Sequence, residues 1–121
     1  MHLAEKLHLG REKYAEGFNF GPSKADHCDV ENIIIKMNRF WGGRIRYEVH
    51  SSERNPHEAH LLSLDCSKAK EVLGWQPRWN LDQALEKTVE WNERRLRSES
   101  VRRICEDQIG QYEESYVHSP S

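Results

Sequence analysis

The stretch from Asn55 to Trp79, NPHEAHLLSLDCSKAKEVLGWQPRW, constrains the fold more than any other part of the chain. Asn55 and Pro56 mark a turn, because proline presets φ and an asparagine side chain can hydrogen-bond nearby backbone. Leu61, Leu62 and Leu64 form an apolar run of strand length, closed by Asp65. Ser67 is placed to cap a short helix over Lys68 to Leu73, with Ala69, Val72 and Leu73 on its inward side. Gly74 stands where a left-handed C-terminal cap is wanted, and Pro77 stops the helix from resuming. Trp75 and Trp79 flank that proline. Their first reading is as core plugs at a rigid corner, and their second is as surfaces on which a base could stack.

The rest of the chain is read in order. Residues 2 to 9, HLAEKLHL, set Leu3, Ala4 and Leu7 on one helical face, the end of a helix for which Met1 offers no cap. The segment Gly17 to Pro22, GFNFGP, predicts a strand closed by a Gly-Pro turn, within which Asn19 either faces a ligand or hydrogen-bonds locally. Asp29 is a good N-cap for a helix over Val30 to Trp41. There Val30, Ile33, Ile34, Met37, Phe40 and Trp41 make one apolar face, read as core. Gly42-Gly43 ends that helix. Arg44 to His50 then alternates, with Ile45, Tyr47 and Val49 on one side, and predicts a strand with one buried face. Asn80 and Gln83 have the spacing of a reciprocal cap on a long helix whose apolar side runs from Leu81 through Leu85, Val89 and Trp91 to Leu96. Ser100 is placed to cap a last helix, Val101 to Gln111, with Ile104, Cys105, Gln108 and Ile109 inward, and residues 113–121 read as a frayed tail.

Composition excludes several classes of function. With 121 residues, 36% hydrophobic and 31% charged, and a mean hydropathy of −0.91, the chain can bury only a modest core, so part of its apolar surface is expected to belong against a partner. A net charge of −2 gives no electrostatic case for nucleic acid. The basic cluster Arg94, Arg95, Arg97, Arg102 and Arg103 is interleaved with Glu93, Glu99 and Glu106, the pattern of a solvated helix face. Cys28, Cys66 and Cys105 make no CxxC pair, which suits reduced thiols. His57 and His60 lie three apart at a turn, unlike the HExxH helix of a zinc protease, so no metal site is expected. No apolar run approaches membrane length and no signal-peptide core opens the chain, so the expected location is cytoplasmic, with no membrane partner.

Pro56-His57-Glu58-Ala59, Leu64-Asp65-Cys66-Ser67-Lys68-Ala69 and Leu73-Gly74-Trp75-x-Pro77-Arg78-Trp79 follow one another as in the C-terminal region of extended short-chain dehydrogenase/reductase enzymes that act on sugar nucleotides. Asn19-Phe-Gly-Pro22 and Cys105-x-x-Gln108-Ile109-x-x-Tyr112 extend the resemblance, which covers about residues 3 to 112 and is most similar to the CDP-glucose 4,6-dehydratase family. It implies an α+β fold, with three short strands and four or five helices. Residues 1–121 would form a single C-terminal substrate-binding domain (1–9 the end of a truncated helix) without the N-terminal Rossmann half. The family converts CDP-glucose to a 4-keto-6-deoxy sugar with bound NAD, in deoxysugar and lipopolysaccharide biosynthesis. It uses a glycine-rich dinucleotide turn and a Tyr-x-x-x-Lys pair, in which the lysine lowers the tyrosine's pKa.

Neither motif is here. No GxGxxG runs through glycines 10, 17, 21, 42, 43, 74 and 110, and tyrosines 14, 47, 112 and 116 are followed four residues on by Phe18, Ser51, Tyr116 and Pro120. The chain alone is therefore expected to bind no NAD and to turn over nothing, with no catalytic residue. Lys68 lacks a tyrosine partner and reads as structural. Related dehydratases carry an Arg-Pro-x-Glu motif, arginine on the diphosphate and glutamate on the ribose. The matching residues here are Asn55, Pro56, His57 and Glu58. The resemblance thus makes Glu58, His57, Asn55 and Arg54 the substrate-binding candidates: Glu58 for the ribose hydroxyls, His57 beside it or only shaping the turn, and Asn55 at the diphosphate position, where Arg54 or Arg44 would supply the missing charge. The implied partners are a nucleotide sugar (CDP-glucose), the missing Rossmann domain and a second copy in a homo-oligomer. Two alternatives stand beside this reading: part of another sugar-nucleotide dehydratase or epimerase, and a non-catalytic remnant or interaction module.

Overall fold

A computed structural model describes residues 1–10, 12–48 and 63–115. Its elements, in order, are α1 (His2–His8), α2 (Val30–Phe40), α3 (Ser67–Leu73), α4 (Leu81–Leu96) and α5 (Val101–Glu114), with short 3₁₀ turns at Glu12–Tyr14 and Lys24–Asp26.

The expectation of an α+β fold with short strands is corrected. Among the described residues the protein is all helical, with no strand and no sheet. A strand exists only when its N–H and C=O groups find a ladder partner. The segment Gly17 to Pro22 does lie beside Leu64 to Cys66, since a Cβ added to Gly21 would stand 3.4 Å from Cys66 Sγ and 3.5 Å from Leu64 Cδ1. Side chains, not a ladder, hold the two together: Asn19 Nδ2 donates to Asp65 O at 3.3 Å, and Lys68 Nζ donates to Gly17 O at 3.1 Å. Arg44 to Glu48 likewise carries no strand pairing. Residues 49–50 and 61–62, which complete two of the expected strands, lie outside the described residues.

The helices follow their local signals. Asp29 accepts the Asn32 N–H at 2.8 Å and opens α2, and two left-handed glycines, Gly42 (φ +68°) and Gly43 (φ +75°), end it. Ser67 is the first residue of α3 rather than the expected cap: Cys66 stands at the N-cap position with no side-chain cap bond, and Asp65 Oδ1, just before it, accepts the Ser67 N–H at 2.9 Å. Gly74, at φ +65°, closes α3 as anticipated, and the Trp75 N–H reaches back to Ala69 O at 3.1 Å. Helix α4 opens on the reciprocal cap of Asn80 and Gln83, with bonds of 2.9 and 3.0 Å.

Helix α4 is the central element and packs against both α2 and α5. Lys36 on α2 meets Asp82 in the first turn of α4 at 2.5 Å. Towards α5, Gln108 Nε2 donates to Lys87 O at 2.8 Å, and Arg94 holds both Glu99 (2.9 Å) and Asp107 (2.7 Å). The basic cluster is a lattice of ion pairs, with Arg97 on Glu93 and Arg102 on Glu106 as further members. The core is thin. Among the described residues the buried apolar side chains are Tyr14, Ala69, Leu73, Leu85, Val89 and Ile104. The apolar face of α2, expected to be core, has no buried residue: Val30 is 71% exposed and Phe40 37%. On α5, Ile104 is fully buried but Ile109, expected inward, is 58% exposed.

Candidate functional site

The short helix α3 and its flanks position an open concavity among the described residues. Lys68 anchors that region by three contacts, to Glu16 at 2.8 Å, to Gly17 O at 3.1 Å and over the Phe18 ring at 4.8 Å from its centroid. These contacts tie α3 to the segment before it. Phe20 packs edge-on against Trp75, centroids 5.0 Å apart at 89°. The indole is half-buried against Phe20, while the Trp75 backbone N–H donates to Ala69 O at 3.1 Å.

An open cleft of about 570 Å³ lies between Pro22 and Lys24 on one side, Ser63 to Ser67 on the floor, and Lys70, Trp75 and Pro77 on the other side. Polar side chains make up much of its lining. The Ser67 hydroxyl and the Ser67 backbone N–H both donate to the Asp65 carboxylate and hold it below its ordinary value of 3.8, with the charge of Lys24 adding a smaller attraction. Ser63 Oγ lies 3.4 Å from His27 Nε2. Cys66 contributes a half-buried thiol. A second, shallower groove of about 340 Å³ runs between α4 and α5, bounded by Trp79, Trp91 and Gln108. Trp79 there packs edge-on with Tyr112 at 5.0 Å, under the Arg78 guanidinium, which agrees with its reading as a corner plug.

The residues singled out from the sequence divide sharply. Arg54, Asn55, His57 and Glu58 lie outside the described residues. Arg44, the other candidate for diphosphate charge, sits 3.7 Å from Glu93 on α4, 74% exposed. Asn19 Nδ2 donates to Asp65 O, 46 residues away, a bond between segments rather than the local one expected of a turn residue. Sequence reading missed Lys24 and Lys70 as cleft residues, because only the approach of Gly21 to Leu64 and Cys66 brings their segments together. It missed buried Tyr14 as well, in a charged stretch that reads as loop.

Neither a metal nor a dinucleotide has a seat among the described residues. No group of three or more His, Cys, Asp or Glu side chains there could hold a metal ion. A pyrophosphate-binding turn places its glycines between a strand and the start of a helix. Here Gly42, Gly43 and Gly74, all left-handed, instead end helices. The described residues therefore do not fit NAD. No described helix is long and apolar enough to cross a membrane.

No family model matches the chain. It is a homologue of a C-terminal part of a sugar-nucleotide dehydratase. That protein is CDP-glucose 4,6-dehydratase of Salmonella typhimurium (strain LT2), to which the chain is 40% identical over 110 residues, 91% of its own length. The match spans 30% of the length of that relative. The resemblance carried by the motifs between Asn19 and Tyr112 is thus shown at the level of the whole chain.

Proposed function

We propose that this chain is the nucleotide-sugar-binding part of a CDP-glucose 4,6-dehydratase. The observation that carries the reading is 40% identity over 91% of the chain to an enzyme of that name. On this reading CDP-glucose is the ligand. Glu58 accepts the ribose hydroxyls, His57 shapes the turn, and Arg54 supplies charge near the diphosphate at the position where Asn55 replaces the family's arginine. The oxidation, elimination and reduction that the full enzyme performs with NAD need groups this stretch does not carry, so the chain alone binds without turnover. Location in the cytoplasm and assembly with a Rossmann half, in a homo-oligomer, belong to the same proposal.

Calorimetric titration of the chain with CDP-glucose, UDP-glucose and GDP-mannose tests it. The expected result is binding of the cytidine sugar at least tenfold tighter than the others, weakened by Glu58→Ala. Equal affinity for all three, or no binding by a chain that circular dichroism shows to be helical, would overturn it. A non-catalytic interaction module is the second reading, favoured by apolar side chains such as Val30 and Leu96, each 71% exposed.

A further inference from the structure

We infer that the outward face of α5 is a self-association surface, on which a second copy of this chain seats its own α5 antiparallel. Ile109 and Gly110 form the contact, and Arg103 stands against Glu113 and Glu114 of the copy. The inference rests on the homo-oligomer of the proposal above, for which it supplies the surface, and is independent of the ligand.

Three observations carry it. The first is charge set against the helix's own dipole. Helix α5 has no acidic residue in its first turn and no basic one in its last. Arg102 and Arg103 stand at its positive N-terminal end, and Glu113 and Glu114 at its negative C-terminal end. Within one helix both placements are unfavourable, because the macrodipole prefers the opposite signs. Turned antiparallel on a copy of itself, the same helix is complementary at both ends. A twofold contact repeats each pair, so Arg103 meets Glu113 and Glu114 of the copy and its own Glu113 and Glu114 meet the copy's arginine. These three side chains are exposed and have no ion-pair partner among the described residues. The acids between them are already matched, Glu106 by Arg102 and Asp107 by Arg94 at 2.7 Å each, so they add little repulsion at the centre.

The second observation is Gly110. It lies in the body of α5, where glycine is among the poorest helix formers, yet a Cβ added there would meet nothing within 4 Å. Nothing in the described chain requires its bareness, whereas a second helix laid on that face could approach its backbone closely. Arg103, Glu106, Gly110 and Glu113 recur at three- and four-residue spacing and share one face. That face lies opposite Ile104, which is buried, and Gln108, which bonds to Lys87 O on α4. The third observation is Ile109, an apolar side chain beside the glycine and 58% exposed. Pairing Arg103 with Glu113 and Glu114 centres the contact between residues 108 and 109, so the two copies' Ile109 flank the twofold axis and cover each other. Two helices of 14 residues bury much less than a standard interface of roughly 1,600 Å², so the dimer is weak and sensitive to salt.

The test is sedimentation equilibrium of the chain across about a hundredfold range of concentration. It is run on the parent, on Arg103→Glu, on Glu113→Lys/Glu114→Lys, on an equimolar mixture of these two variants, and on Gly110→Leu. The parent is expected to show a reversible monomer–dimer equilibrium that weakens as salt rises. Each charge variant alone should dimerise at least about tenfold more weakly, because like charges then face each other. Both variants place charges that suit the helix dipole, so their circular dichroism should be at least as helical as the parent's. The mixture should associate again, since the reversed charges of one variant meet those of the other. Gly110→Leu should keep its helicity and weaken the dimer about tenfold. If the parent dimerises and the charge variants do so equally well, the α5 surface falls and the homo-oligomer stands. Failure of the mixture to associate, or undiminished association of Gly110→Leu, also overturns the antiparallel α5 contact. A parent that is monomeric throughout overturns both the surface and self-association of this chain, and leaves the ligand proposal to its own titration.

Discussion

Asp65 does more than any other single residue in this chain to join local structure to the site. Its carboxylate opens α3 by accepting the Ser67 N–H, its backbone carbonyl receives Asn19, and its side chain lies on the floor of the cleft. The Ser67 donors hold its pKa below 3.8, with help from Lys24. A carboxylate whose pKa is lowered on folding contributes stability that is complete above its unfolded value and is lost as pH falls through its folded one. The bond is therefore at full strength at neutral pH and fails only in acid, below the ordinary carboxylate value. Thermal unfolding followed from pH 7 down to pH 2 should show an acid loss that is smaller in Asp65→Asn than in the parent by the share this one carboxylate carries. A variant with the same acid limb as the parent would show that the bond contributes nothing. Gly74 is a simpler case. A left-handed C-terminal cap was legible from its place between Leu73 and Pro77, because only glycine takes that backbone conformation without steric cost.

Among the elements, α4 and α2 were both legible in extent and cap, but the burial of α2 was not. The reciprocal cap of Asn80 and Gln83 is a local device, fixed by residues three apart, and it stands as the spacing predicted. The apolar stripe of α2 was equally plain, yet a stripe shows only which face seeks cover, and α4 covers it in part. The α4–α5 pair is where burial is concentrated. Ile104 is fully buried there, while Gln108, Trp91 and Arg94 tie the two helices by polar contacts. Ile104→Ala should destabilise the chain by about 2–4 kcal/mol, whereas Ile109→Ala, removing a mostly exposed side chain, should cost less than about 0.5 kcal/mol. Urea unfolding followed at 222 nm separates the two. Similar midpoints for both variants would place the core elsewhere.

At the scale of the whole molecule the thin core sets the expectation for stability. The slope of unfolding free energy against urea follows the surface newly exposed. Few buried side chains should therefore give a shallow slope, near the lower end of the roughly 1–3 kcal/mol/M seen for small proteins. A steep slope with a midpoint that rises with protein concentration would instead mean that copies of the chain cover each other's apolar faces. The sequence by itself determined the helix ends at Asp29, Asn80 and Gly74 and the Leu-Gly-Trp-x-Pro corner, and its motifs already pointed to the relationship that 40% identity over 110 residues bears out. Those features are local, written in residues within a few positions of one another. It did not determine the strands, which need a partner backbone that periodicity cannot supply. Nor did it reveal that Lys24, Asp65, Lys70 and Trp75 share one cleft. Tertiary structure decided that, because the segment before α2 is laid beside Leu64 to Cys66 by contacts between residues more than forty positions apart, such as Asn19 to Asp65 and Lys68 to Gly17.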